Sequence, residues 1–288
     1  MKPHRSLGTH DRSSLREAWI MRLAIGVAAS LMLGLLLIPL LALTLRALGD
    51  LRLAPPLFEG SIFQAMRLSL VSTGISMIII VLLGTPLAFA FARYDFPLKR
   101  PLNVLVELPI VLPPVVAGLA LLMAFGRRGL LGSTLAIFGI SLPFTPAAII
   151  LAQVFVSSPF YIRAVQNRFA SIPAEVEAAA AIDGAGPWRV FRDITLPLSR
   201  QAMLTGLVLS WARALGEFGA TILFAGNLEG RTQTMPLLVY GALERDLNAA
   251  LWTGVLLIGI AGVTLASVHG LSRFLAGHEE TDPLSQAY

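Results

Sequence analysis

The sequence predicts an all-α, polytopic membrane protein of about six transmembrane helices. The first observation is composition: 56% of the 288 residues are hydrophobic and 14% are charged, whereas about a quarter of the residues in a soluble domain are charged. The second is a series of uncharged runs, each long enough for a helix to cross a bilayer, which takes roughly 20 apolar residues. The sequence contains no cysteine, which excludes disulfides, iron–sulfur clusters and thiol nucleophiles.

Uncharged runs define the predicted crossings. They lie between Arg22 and Arg46, Arg67 and Arg93, Glu107 and Arg127, Arg128 and Arg163, and Asp246 and Arg273. A further apolar segment, about residues 201–226, is interrupted only by Arg213 and Glu217 and is the fifth crossing in chain order. The predicted organisation is an N-terminal tail over residues 1–22, a transmembrane domain over 23–275 and a C-terminal tail over 276–288. The first run is longer than a signal-peptide core of about 7–15 apolar residues, so a retained helix is predicted.

Basic residues set the predicted orientation, because the cytoplasmic loops of membrane proteins are enriched in lysine and arginine. The two tails and the loops after the second and fourth crossings together hold 14 of these residues, against 7 on the opposite face. Both termini and the loop at about residues 163–200 are therefore predicted to be cytoplasmic. The net charge of +5 does not indicate nucleic-acid binding, because the basic residues separate apolar runs instead of forming one polar face.

The cytoplasmic loop is predicted to form two short helices joined at a glycine. Alanines with two glutamates in the first turn favour a helix after Pro173, and Asp183-Gly184 is a natural helix stop. Pro187 begins the next helix, and Leu196-Pro197 makes a break before the fifth crossing. The alanine face has small side chains, so it can pack closely into a groove on another protein. Val190, Phe191 and Ile194 are predicted to anchor the loop to the membrane domain. An amphipathic hairpin lying on lipid is the alternative.

The same loop carries a family resemblance. Glu177-Ala178-Ala179, then Gly184, then Ile194-x-Leu196-Pro197 resembles the EAA loop of the permease subunits of ATP-binding-cassette importers. The family pattern puts three residues between the EAA and the glycine, and this sequence has four, so alignment on the glycine places Ala178 at the usual glutamate position. The resemblance implies a coupling helix, within about residues 170–199, that docks on an ATPase subunit. The residues it implies for coupling are Glu177, Ala178, Ala179, Asp183, Gly184, Ile194, Leu196 and Pro197, with the role of Glu177 open.

The resemblance extends over about residues 64–273. Residues 212–221 are similar to the corresponding helix of sulfate, molybdate and tungstate permeases, and residues 226–237 are most similar to molybdate permeases. It implies a type I importer permease fold, in the inner membrane of a prokaryote, that carries an oxyanion into the cytoplasm. Molybdate is the favoured substrate, and sulfate and tungstate remain alternatives. Whether accumulated substrate inhibits the complex is left open.

ATP hydrolysis is expected on a separate subunit. A P-loop needs lysine after glycine to hold phosphates, and the chain's lysines, Lys2 and Lys99, do not follow glycine. The chain is therefore predicted to be no enzyme and to hold no cofactor or metal, with ATP and Mg bound by the partner ATPase. The partners implied are a second copy of the chain with the pore on the dyad, two ATPase subunits, an extracytoplasmic oxyanion-binding protein and membrane lipid, with no nucleic acid.

Two features mark candidate residues of the translocation pathway. An Arg or Glu near the bilayer centre costs on the order of 2.5–3.5 kcal/mol, yet the fifth crossing keeps both Arg213 and Glu217, four residues apart on one predicted helix face. They either pair merely to pack helices, or Arg213 faces the pathway and Glu217 holds it. In the third crossing, Pro113 and Pro114 predict a kink that faces the pore or acts as a hinge, with a packing kink as the alternative.

The outer segment 227–248 is too long and polar for a minimal connection. Its Arg231, Thr232, Gln233 and Thr234 are predicted to contact a docked binding protein or a passing oxyanion, and a simple solvated loop is the alternative.

Two other classes of membrane protein fit the composition. An intramembrane enzyme is disfavoured because the sequence lacks cysteine and Gly-x-Ser-x-Gly. An ion-coupled secondary transporter is the stronger rival, although it typically shows internal repeats and intramembrane acidic ion sites, and no convincing repeat is present.

Overall fold

The computed structural model describes residues 10–49 and 60–277. Within them the regular structure is helical, which confirms the predicted fold class. The helices are α1 (His10–Leu48), α2 (Gly60–Arg93), α3 (Lys99–Val111), α4 (Pro114–Phe125), α5 (Gly132–Ile137), α6 (Pro146–Ser171), α7 (Ala174–Ile182), α8 (Pro187–Val190), α9 (Leu196–Leu198), α10 (Arg200–Leu215), α11 (Gly219–Phe224), α12 (Met235–Leu243) and α13 (Leu247–Gly277), with a π-helical turn at Phe191–Thr195 between α8 and α9.

The chain divides into two compact units, Met1–Ala54 and Pro55–Tyr288. In the first unit, α1 is a continuous helix of 39 residues. It begins at His10, inside the segment predicted as an N-terminal tail, and its apolar part is long enough to cross a membrane. The C-terminal tail predicted over residues 276–288 lies almost entirely outside the described residues.

Continuous crossings are fewer than the sequence predicts. Among the described residues, α1, α2, α6 and α13 are each long and apolar enough to span a membrane, and the α3–α4 pair, bent by 120°, makes a fifth candidate. The predicted third crossing is thus a sharply bent pair. The predicted fifth crossing is also interrupted, because α10 has 16 residues and reaches only about 24 Å, short of the roughly 30 Å of hydrocarbon.

The second unit is built around α6. The buried share of its most apolar stretch is 56%, compared with 39% for α2 and 17% for α13. One side of α6 packs with α2 and α10 through an apolar cluster that includes Ile80, Tyr161 and Ala214. The other side packs with α4 and α11 through a second cluster that includes Ala152 and Phe224. The two broken segments therefore lie against the most buried helix of this unit.

A buried glutamine on α6 forms hydrogen bonds with α2 and α10 and so fixes how far these three helices are shifted along one another. Gln153 on α6 donates from Nε2 to Thr73 Oγ1 on α2 at 3.1 Å and to the carbonyl of Ala214 on α10 at 3.2 Å. Its Oε1 accepts the hydroxyl of Ser76 at 2.9 Å. Polar groups inside a membrane must be satisfied within the protein, so this network aligns the end of α10 with residues 73–76 of α2.

Candidate functional site

The fifth crossing is broken at an ion pair. α10 ends at Leu215 and α11 begins at Gly219, and Glu217 lies in the break with its side chain 1% exposed. Arg213 Nη1 lies 2.6 Å from Glu217 Oε2, while Glu217 Oε1 accepts the backbone N–H of Ala220 at 2.7 Å. The predicted pair is therefore present, but on two elements instead of one continuous helix. Glu217 joins the end of α10 to the first turn of α11.

Proline and glycine bring the two broken segments into backbone contact. A Cβ added at Gly219 would lie 2.5 Å from Pro114 Cβ, and one added at Gly118 would lie 2.9 Å from Ala220 Cα. The first turn of α4 thus packs directly on the first turn of α11, which only glycine permits at this distance. Pro113 precedes α4 at the bend. The structure accordingly brings together Pro114 and the Glu217 break, which sequence reasoning treated as separate features.

Burial differs within the ion pair. The Arg213 side chain is 28% exposed and that of Glu217 is 1% exposed. A guanidinium has five N–H donors, and the contact with Glu217 leaves others free to meet water or an anion. The buried carboxylate orients the arginine, and the arginine remains partly accessible.

The loop between α6 and α10, predicted to be cytoplasmic, folds as predicted into two short helices joined at a glycine. α7 ends at Ile182, Gly184 has φ +86°, and α8 begins at Pro187. A left-handed residue just after a helix is ordinarily glycine because it lacks a Cβ. We call Ala174–Leu198, from α7 through α9, the coupling segment, after the role that the family resemblance implies for it.

Glu177 is half-buried and held by two side chains from other elements. Its Oε1 lies 2.6 Å from Arg93 Nη2 and accepts the hydroxyl of Thr195 at 2.8 Å. Arg93 ends α2 and also donates to the carbonyl of Ile172 at 3.3 Å. Glu177 therefore fastens α7 to α2 and to the π-helical turn. The sequence did not predict Arg93 and Thr195 as partners of Glu177. The available signals were weak: Arg93 lies at the end of a predicted crossing, and Thr195 lies inside the Ile194-x-Leu196-Pro197 motif.

The outer face of the coupling segment exposes large apolar side chains together with charged ones such as Glu175 and Arg189. Ile182 and Trp188 are 86% and 71% exposed. Four of the residues implied for coupling are also exposed: Ala178, Ala179, Asp183 and Gly184. The inner face is anchored, since the Phe191 ring packs on Phe89 at a centroid distance of 4.9 Å. Ile194, Leu196 and Pro197 are half-buried beside it.

The loop before α12 is ordered by its own hydrogen bonds. Thr232 is buried, and its Oγ1 accepts the N–H of Leu228 at 3.0 Å. Gln233 Nε2 donates to Asn227 Oδ1 at 3.0 Å. Thr234 is buried as well. Of the four residues predicted to meet a binding protein, only Arg231 and Gln233 keep accessible side chains.

Across residues 10–49 and 60–277, no group of three or more His, Cys, Asp or Glu side chains is placed to hold a metal ion.

Comparison with known proteins identifies the family. Residues 80–276 match the family described as the inner membrane component of binding-protein-dependent transport systems. The chain belongs to this family. The match includes the coupling segment, the Glu217 break and the ordered loop before α12, so these features lie within the family's characteristic region.

Relatives of this permease confirm the predicted resemblance. It is 44% identical over 204 residues to the molybdenum transport system permease protein ModB of Mycobacterium tuberculosis, covering 71% of this chain and 77% of that protein. It is 39% identical over 210 residues to the sulfate transport system permease protein CysW of Synechococcus elongatus, covering 73% of each. The fold matches a chain of a bacterial ABC transporter that imports alginate, with a TM-score of 0.74, 17% identity and coverage of 91% and 97%.

Proposed function

We propose that this chain is the permease subunit of an ATP-driven importer that moves an oxyanion, with molybdate as the first choice, into the cytoplasm. The observation that carries the proposal is the 44% identity to a molybdenum transport permease across most of both chains. The permease fold and the family match agree with it.

Sulfate is the second candidate substrate. The 39% identity to a sulfate transport permease over 73% of the chain supports it. Tungstate belongs to the same chemical class, because all three are tetrahedral oxyanions with two negative charges. The binding protein is expected to choose among them, and the permease to pass what it receives.

The proposed assembly contains two copies of this permease, two ATPase subunits and one extracytoplasmic binding protein. A solved alginate importer, similar in fold at 16% identity, was crystallised with its substrate-bound periplasmic protein, which supports the kinds of partner. ATP and Mg would be bound by the ATPase subunits. The coupling segment would face the cytoplasm, as would both termini, with the permease domain over residues 23–275.

Coupling is proposed to act through the outer face of the coupling segment. Exposed apolar side chains beside small alanines form the kind of surface that docks into a groove. Force applied there would pass through Glu177 to Arg93 at the end of α2, and through Phe191 to the aromatic cluster on α2 and α6. The residues we assign to coupling are therefore both the exposed docking set and the anchored Glu177, Ile194, Leu196 and Pro197.

Arg213 is proposed to face the translocation pathway. Its charge favours a dianion in a low-dielectric surrounding, while the partial neutralisation by Glu217 keeps the attraction weak. A conduit must release what it admits, so a paired arginine suits passage better than a free one. Pro113, Pro114 and Gly219 would shape the adjacent constriction, and Arg231 and Gln233 would meet the binding protein or its cargo.

Uptake of radiolabelled molybdate by cells with and without this permease tests the proposed substrate. The deletion is expected to abolish high-affinity uptake, and the wild-type gene is expected to restore it. Competition by unlabelled tungstate and sulfate ranks the alternatives. Unchanged uptake of all three anions in the deletion strain would refute the proposal.

A further inference from the structure

We propose that a cavity beside the first turns of α2 is an oxyanion-binding site, where the anion rests after it leaves the binding protein and before it passes Arg213. This inference rests on the proposed function and adds a site to it. The cavity has a volume of about 330 Å³ and lies between α2, the first residue of α6 and the loop before α12. Its polar lining consists of Ser61, Gln64, Arg67, Arg231 and Gln233.

The charge of the cavity favours an anion. Its described lining includes two arginines and no aspartate or glutamate. Arg93, Arg163 and Arg213 each pair with a carboxylate, whereas Arg67 and Arg231 have no carboxylate partner among the residues that the structure describes. Unpaired guanidinium groups recognise oxyanions through paired N–H donors.

The neutral lining adds hydrogen-bond donors around these charges. The amides of Gln64 and Gln233 and the hydroxyl of Ser61 can each donate to an anionic oxygen. The cavity is also large enough to hold several waters beside a tetrahedral anion. Binding would therefore be partly hydrated and reversible, as transport requires.

The loop that carries Arg231 is fixed in place. The backbone N–H of Arg231 donates to the carbonyl of Leu228 at 3.0 Å, and the N–H of Met235 donates to Ser69 Oγ on α2 at 2.8 Å. Gly230 has φ +72°, and an added Cβ there would lie 3.2 Å from Gln64 Oε1. The backbone that carries Arg231 is thus held in place beside α2, so anion binding has to order the exposed arginine side chains but not the loop itself.

The cavity lies at the end of α2 away from the coupling segment. Arg67 and Arg93 are 26 residues apart on this helix, about 39 Å in an ideal α-helix. The Gln153 network places Ala214, next to Arg213, at the level of residues 73–76, which is about 9–14 Å further in than Arg67. Arg67, and the cavity that it lines with Arg231, therefore precede Arg213 on a path along α2 towards the coupling segment.

Cysteine labelling tests anion binding directly, because the chain contains no cysteine. Ser61→Cys would be introduced into the complete importer, reconstituted without binding protein, and labelled with a negatively charged thiol reagent. Molybdate or sulfate at ten times its dissociation constant is expected to slow labelling by about tenfold. Asn248→Cys, exposed at the start of α13 and outside the cavity lining, is the matched control and should label at an unchanged rate. Absence of slowing at Ser61→Cys, or equal slowing at both positions, would overturn the proposal.

Transport kinetics separate an anion site from a protein-docking surface. The double variant Arg67→Gln/Arg231→Gln is expected to lower the maximal uptake rate by about tenfold at saturating loaded binding protein, with the dissociation constant of the binding protein unchanged. Arg245→Gln, another exposed arginine outside the lining, should behave as wild type. A weaker binding-protein complex with a normal maximal rate would instead assign the arginines to docking. If the wild-type importer moved no oxyanion, the proposed function would fail, while the labelling result would still decide the cavity.

Discussion

The carboxylate of Glu217 joins α10 to α11. One oxygen pairs with Arg213 and the other accepts the N–H of Ala220. Because the side chain is 1% exposed, removal of Arg213 leaves a buried charge with one partner fewer, and breaking a buried pair costs about 3–5 kcal/mol. A single substitution at Arg213 therefore lowers stability as well as changing the charge beside the proposed pathway.

A double variant separates these two effects. Arg213→Gln is expected to reduce both the amount of assembled importer and its uptake. Arg213→Gln/Glu217→Gln removes the uncompensated charge and retains an acceptor for Ala220, so assembly should recover, while uptake per assembled complex stays several-fold below wild type. Size-exclusion chromatography gives the assembly and radiolabelled anion gives the uptake. Normal uptake by the double variant would contradict a role for Arg213 in transport and would assign the ion pair to helix packing alone.

Glu177 plays the corresponding role at the end of α2 that carries Arg93. Glu177→Ala removes a charge-assisted contact with Arg93 and a hydrogen bond from Thr195; hydrogen bonds to charged groups contribute about 1.5–3 kcal/mol each. We expect the coupling segment to loosen, so that less ATPase subunit co-purifies and fewer anions move per ATP hydrolysed. Glu175→Ala, an exposed acid in the same helical turn, is the matched control and should retain both properties.

The partner substitution shows whether the two residues act as a pair. Arg93→Ala should reproduce the loss caused by Glu177→Ala, and the double variant should be little worse than either single one, because residues in contact are not additive. Fully additive losses would contradict transmission through this contact.

At the scale of elements, the α4–α11 contact depends on a missing side chain. Gly219→Ala would place a Cβ 2.5 Å from Pro114 Cβ, and overpacking typically costs about 1–3 kcal/mol. The expected result is a lower melting temperature in detergent together with slower uptake. Gly216→Ala is the matched control three residues earlier, where an added Cβ lies 3.6 Å from the carbonyl of Ala212 and should be tolerated. Equal melting temperatures for the two variants would contradict the close contact.

Local sequence signals located these elements but not their arrangement. The prolines at 113 and 114 mark a break, yet the 120° angle depends on the fit of α4 against α11, which is set by residues a hundred positions away. Likewise, the spacing of Arg213 and Glu217 predicts a pair. It does not show that Glu217 leaves the helix to accept the N–H of Ala220.

At the scale of the molecule, composition and uncharged runs predicted the fold class and the four continuous spans. The contacts that define the candidate sites are long-range and lay beyond such reasoning. Glu177 meets Arg93 across 84 positions, and the cavity joins Arg67 with Arg231, 164 positions later in the chain. The residues next to these arginines in the sequence do not distinguish them. The packing of α2 against later segments decides which of them meets a carboxylate among the described residues and which lines the cavity.

ATP-dependent uptake by the reconstituted importer tests the central claim, that this permease opens only when an ATPase acts on its coupling segment. Proteoliposomes containing the permease, the ATPase subunit and the loaded binding protein are expected to accumulate molybdate or sulfate only with ATP and Mg present. They should accumulate less of the anion per ATP hydrolysed when the permease carries Glu177→Ala. Accumulation by the permease alone, driven by an ion gradient without the ATPase subunit, would contradict the account.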